Sequence, residues 1–117
     1  IRDSFQLQLD SLASVFNPDG NEYWYAENQL LNPSLQIISP PMDIIIDHIS
    51  YIVNLIGVDH VGLGADWDGV GILPIGMENV TKLPSLTNQL LQNGYSKKDV
   101  QKILGGNFKR VFKEVSK

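Results

Sequence analysis

Apolar residues at Phe5, Leu9, Leu12 and Phe16 step by four, three and four, the spacing that lines one face of an α-helix. The pattern predicts a helix from Ser4 to Phe16, stopped by the turn chemistry of Asn17-Pro18-Asp19-Gly20. Residues 21–38 hold three adjacent aromatics, Tyr23, Trp24 and Tyr25, but no sustained period, and read as a loop with one short helical turn. Packing against a neighbouring surface is the expected use of those rings, ahead of stacking on a ligand. Met42, Ile45, Ile49, Ile52, Val53 and Ile56 then make a wide apolar stripe that ends at Gly57. This predicts a helix with one buried face, Ser39 capping it and Pro40 and Pro41 in its first turn.

Directly afterwards the period drops to two. Val61, Leu63 and Ala65 point one way and His60, Gly62, Gly64 and Asp66 the other, which predicts a short strand over about 58–66 with a nearly bare second face. Two helices follow, one over about 83–93 and one from Ser96, where Ser96-x-x-Asp99 has the form of a capping box. Gly105-Gly106-Asn107 interrupts, and a last helix over 108–115 is expected to turn Val111, Phe112 and Val115 inward. Helix, strand, loop, helix is an α/β rhythm, but one strand does not make a sheet. Either further strands lie near 35–38 and 70–76, or the segment belongs to a larger sheet or barrel.

The 117 residues, 43% hydrophobic, suit one globular domain or a large piece of one. A net charge of −4 with nine dispersed basic residues gives no electrostatic footprint for nucleic acid or an anionic membrane. With no cysteine, disulfides, thiol nucleophiles and thiolate zinc sites are excluded, while the compartment stays open. No apolar run reaches the length of a membrane span and no signal region opens the chain, so localisation is unknown. The chain starts at Ile1 and its first methionine is Met42, which reads as an excerpt of a longer polypeptide.

Candidate chemistry gathers in Gly62-Leu63-Gly64-Ala65-Asp66-Trp67-Asp68-Gly69. In parallel α/β folds reactive groups collect at the carboxyl ends of strands, where Asp66 stands. Gly62 and Gly64 leave room beside it, for a substrate or for closely packed neighbours. A carboxylate there can accept a proton, orient a metal-bound water, hold a substrate ammonium, or simply organise the loop. Asp68, followed by Gly69, is expected to bond backbone amides in the turn. His48 and His60 lack metal-ligand spacing, and a structural hydrogen-bonding role is the better reading of both. Residues 69–76, Gly-Val-Gly-Ile-Leu-Pro-Ile-Gly, lack the lysine and the glycine order of a phosphate loop and read as a flexible loop over a site. No serine or threonine has the histidine neighbour of a triad.

From residue 43 to 115 the chain closely resembles the carboxyl-terminal part of the membrane (renal) dipeptidase family, the M19 zinc peptidases. Carrying the resemblance are the Asp47-His48-Ile49-x-Tyr51-Ile52 helix, Gly57-x-Asp59-His60-Val61-Gly62-x-Gly64-x-Asp66-x-Asp68-Gly69, the Gly94-Tyr95-Ser96 junction, and Gly105-Gly106-Asn107-x-x-Arg110-Val111. Ala65, Trp67, Asn79 and Thr81 depart from the residues usual in the family, and none of them replaces Asp66. The resemblance implies the carboxyl-terminal portion of a (β/α)8 barrel, with 43–117 as its last βα unit and terminal helices and 1–42 as a variable helix and loop before it. It also implies hydrolysis of dipeptides at a centre of two zinc ions, with Asp66 on the family's active-site aspartate and Trp67, Asp68 and Gly69 contacting substrate or supporting it. The family's zinc ligands lie upstream of the matched stretch, so no metal ligand is expected in this chain and the chain alone is expected to be inactive. Implied partners are a dipeptide, the rest of the barrel and a second copy in a homodimer, with no nucleic acid. A reading of a different class is a non-catalytic remnant, or a module that docks on a partner through the apolar stripe of residues 42–56.

Overall fold

A computed structural model describes residues 1–116 and divides the chain into two compact units. The first comprises 1–39 with 68–73, and the second 40–67 with 74–117.

In the first unit, α1 (Gln6–Val15) follows a single 3-10 turn at Arg2–Phe5. Its four periodic residues are the ones withdrawn from solvent: Leu9 is buried and Phe5, Leu12 and Phe16 are half-buried. The Asn17 side chain accepts from the amide of Asp19 at 3.2 Å and its carbonyl from Gly20 at 2.8 Å, turning the chain as that sequence requires. The loop expected at 21–38 is instead a 16-residue helix, α2 (Asn21–Gln36). Its buried contacts, Tyr23 and Leu31, do keep helical spacing, but exposed Tyr25, Trp24 at 36% exposure and the internal Pro33 break up the pattern. Only Tyr23 packs as the aromatics were expected to. Trp24 and Tyr25 instead meet each other edge-on, with ring centroids 4.9 Å apart. Leu73 joins this unit through its carbonyl, which accepts from Ser39 Oγ at 2.6 Å and Gln36 Nε2 at 3.3 Å.

The second unit is built around α3 (Asp43–Ile56), α4 (Leu83–Gln92), α5 (Lys97–Gln101) and α6 (Asn107–Val115), with a π-type turn at Lys102–Gly106 before α6. Its core joins Met42, Ile46 and Ile49 with Val61, Met77, Leu86, Leu90, Val100 and Ile103. The buried arc of α3 is rotated from the expected stripe: Ile46 enters the core, while Ile52 and Ile56 stay 38% and 52% exposed. Ser39 does not cap this helix, because the helix starts only at Asp43 with Met42 at its N-cap; the Ser39 hydroxyl donates to Leu73, and Pro40 and Pro41 precede the helix. There they pair with the 69–76 segment, where Ile75 N–H donates to the Pro40 carbonyl and Met42 N–H to the Ile75 carbonyl, both at 2.9 Å. The segment read as a free flexible loop is therefore tied down. At its end Gly76 takes a φ of 91° under the Met42 side chain, a backbone state that glycine adopts without strain.

The capping box is present in altered form. Ser96 Oγ accepts from the Asp99 amide at 3.1 Å and donates to the Asp99 carboxylate at 2.6 Å. Asp is one methylene shorter than the usual Glu, so it meets the hydroxyl instead of the Ser96 amide. Ser96→Ala is expected to lower stability by about 1 kcal/mol, measured by urea unfolding.

Two expectations are corrected here. The strand at 58–66 is not formed: Val58–His60 make a 3-10 turn, Val61 is extended, and 61–66 join no strand among the described residues. Among the described residues the sole β-type pairing is the isolated bridge between Pro41 and Ile75, so the protein is mostly helical. Backbone becomes a strand only when a neighbour supplies the ladder of hydrogen bonds, and none lies alongside among the described residues. The apolar face of α6 is likewise not inward. Phe108, Val111, Phe112 and Val115 are 59%, 46%, 70% and 74% exposed, since helical periodicity creates a face without supplying what covers it.

Candidate functional site

The approach to Asp66 begins where Gly57, at φ 90°, ends α3. After the 3-10 turn the chain straightens at Val61, which is buried, and Leu63 packs against the same core. Alternation thus holds for these two, whereas Ala65, expected on the same side, is exposed. In place of a β-ladder, the segment is held by side chains from the end of the chain. Asn107, itself buried, donates from Nδ2 to the carbonyls of Val58 and Val61, both at 2.8 Å. Arg110 Nη2 donates to the Asp59 carbonyl at 2.7 Å, and Lys102 Nζ lies 2.5 Å from the Asp59 carboxylate.

That lysine contact, the strongest influence on Asp59, holds its carboxyl below the usual carboxylate range, against some desolvation and with help from the charges of Arg110 and His60. A depressed folded pKa contributes stability above the unfolded carboxyl value and loses it as pH falls through the folded one. Solvent screening keeps this contribution small. Glu78 is lowered for a different reason, chiefly the 2.6 Å hydrogen bond it accepts from the Gly76 amide.

The two glycines before Asp66 play different parts. A side chain at Gly62 would collide with the Phe108 ring, so the space there belongs to a packed neighbour, while Gly64 faces open space. Asp66 is exposed and takes a φ of 47°, the left-handed state that Asp and Asn tolerate better than most residues. Trp67 follows with its ring against the core and its indole Nε1 donating to the Met77 carbonyl at 2.9 Å. Asp66 and Trp67 belong to the second unit and Asp68 and Gly69 to the first, and the turn at 67–69 carries one of the three chain crossings between them. Asp68 was expected to bond turn amides. Its side chain is exposed and accepts no hydrogen bond among the described residues.

His48 and His60 are exposed, and neither ring makes the structural hydrogen bond expected of it among the described residues. Among those residues no three His, Asp or Glu side chains come together to hold a metal ion. The residues of this segment therefore do not fit a metal centre of their own. Sequence reasoning missed Asn107, Arg110 and Lys102 as the clamp on residues 58–61. Asn107 and Arg110 stood out only as members of the Gly105-Gly106-Asn107-x-x-Arg110-Val111 motif, and the partners lie 43 to 51 positions away in the chain. It also missed Asn79, whose side chain accepts from the Thr81 amide at 3.0 Å and hydroxyl at 2.6 Å and so starts the turn into α4.

The sequence pattern of the membrane dipeptidases, peptidase family M19, matches residues 38–117, and the chain belongs to that family. Dipeptidase ataJ of Aspergillus terreus is 44% identical over 71 residues, 61% of this chain and 17% of that protein. Dipeptidase aclJ of Aspergillus oryzae is 49% identical over 69 residues, 59% of this chain and 16% of that protein. Dipeptidase tcpJ of Claviceps purpurea is 44% identical over 71 residues, again 61% and 17%. The chain thus matches about a sixth of the length of these curated relatives. No solved structure matches it. No helix among the described residues is long and apolar enough to cross a membrane.

Proposed function

We propose that this chain is the carboxyl-terminal segment of a zinc-dependent dipeptidase, the last βα unit and terminal helices of a (β/α)8 barrel that cleaves the peptide bond of dipeptides. Family membership over 38–117 is the observation that carries the reading. Residues 43–117 then form the last unit, and 1–42, with α1 and α2, a variable segment before it. Two features support a missing barrel wall: residues 61–66, which pair with no strand among the described residues, and the exposed apolar residues of α3 and α6.

In this reading Asp66 is the catalytic carboxylate. It accepts a proton from the water that attacks the scissile carbonyl and returns one to the departing amine, so that the broken C–N bond yields an acid and a free amine. A second role open to the same side chain is to hold the ammonium group of the dipeptide. Trp67 fixes the turn through Met77. Zinc, bound by residues outside this segment, supplies Lewis-acid and hydroxide chemistry when present. Alone, the segment is inactive, and in the whole enzyme its partners are the remaining barrel and a second subunit.

The test uses the complete polypeptide in which this sequence occurs, assayed on a panel of free dipeptides and on longer peptides, with elemental analysis of the purified protein. Turnover confined to dipeptides, with zinc bound, is the expected result. Absence of dipeptide hydrolysis in zinc-loaded protein would favour the non-catalytic alternative, a docking module that uses the apolar face of α3.

A further inference from the structure

We propose that Asn107 is a positioning residue for Asp66, acting from the far end of the segment through the backbone of residues 58–61; the inference rests on the reading of Asp66 given above. Asp66 sits on a stretch with no β-ladder among the described residues, so its place must be set by point anchors. After Asp66 the anchor is adjacent, the Trp67 indole on the Met77 carbonyl. Before it, the polar anchor is the Asn107 amide, which spends both of its N–H groups on the carbonyls of Val58 and Val61 at 2.8 Å.

Three physical points make this anchor stiff. Asn107 is buried, so its two hydrogen bonds are shielded from competing water. It is the first residue of α6, directly after the turn at Lys102–Gly106, so its backbone is fixed by a helix. Arg110, one turn further along, grips the carbonyl of Asp59 from the same helix at 2.7 Å. Together the two side chains hold three of the four carbonyls from Val58 to Val61. From Val61 the chain runs only five residues to Asp66, with Leu63 packed on the core between them. Losing the clamp frees the near end of that short span, and the carboxylate moves with it.

The experiment is a double-mutant cycle in the complete polypeptide with Asn107→Ala, Asp66→Asn and the pair, reading kcat, KM and the thermal midpoint on a free dipeptide. Asn107→Ala is expected to lower kcat by about 10- to 100-fold with KM changed less than about 3-fold, the cost of a misplaced reacting group. In the Asp66→Asn background the same change is expected to lower the residual kcat by less than about 2-fold, because the group being positioned is already disabled. An equal loss in both backgrounds, or no loss in the first, overturns the proposal and leaves Asn107 a fold residue. If Asp66→Asn itself leaves kcat intact, it is the reading of Asp66 that fails, a result separable from the others. Should Asn107→Ala not fold, the exposed Arg110→Gln carries the cycle, with an expected loss of about 3-fold that vanishes in the Asp66→Asn background. Equal losses there overturn the proposal in the same way.

Discussion

Asp66→Asn in the complete polypeptide is expected to cut kcat/KM for dipeptide hydrolysis by about 100-fold or more, the contribution of a positioned acid/base group. Asparagine is the informative replacement. Asp66 has a φ of 47°, which asparagine also tolerates, so the substitution removes the charge and the proton-accepting oxygen without adding backbone strain. The side chain is exposed, and its loss is expected to move stability by no more than about 0.5 kcal/mol. Activity and folding are thereby separated in one variant. The kinetic split then assigns the role: a fall in kcat at constant KM marks proton transfer in the transition state, whereas a rise in KM at constant kcat marks the substrate ammonium. Undiminished turnover in a folded variant removes Asp66 from the chemistry.

Leu90→Ala is expected to lower the unfolding free energy by about 3 kcal/mol, read as a drop in the urea midpoint with unchanged slope. Leu90 is wholly excluded from solvent, and Leu86 and Ile103 in the same core are 1% and 0% exposed. Its carbonyl also accepts from the Tyr95 amide at 3.1 Å, so the residue holds the α4 to α5 corner as well as the core. Truncation leaves a cavity in packing that relaxes only in part. The neighbouring Leu91, 38% exposed, is the control, with an expected loss under about 1 kcal/mol for the same substitution. Similar costs at both positions would mean that the core does not form around α4 as described.

Local rules were legible wherever a signal and its consequence lie within a few residues. The four apolar positions of α1, the stop at Asn17-Pro18-Asp19-Gly20 and the end of α3 at Gly57 follow from spacing and turn chemistry and appear as read. So does the Ser96 cap. α2 was missed because its inward contacts are interrupted by surface aromatics and a proline, so the burial that stabilises it cannot be counted from a window of sequence. The strand over 58–66 erred in the opposite direction. Its period of two was real for Val61 and Leu63, but a strand is a property of two chains lying side by side.

For the site, the sequence by itself singled out Asp66 and its small neighbours, because carboxylates beside glycines at the end of an alternating run are a local pattern. The order of motifs gave the dipeptidase family, and the match over 38–117 agrees with it. Only the tertiary structure decided what holds that turn. It assigned the space beside Gly62 to Phe108, the Trp67 indole to Met77, and the carbonyls of Val58 and Val61 to Asn107, 49 and 46 positions away. Hydrogen bonds across such separations depend on how helices close around a core. That closure is set by the packing of many side chains at once and leaves no local pattern to read.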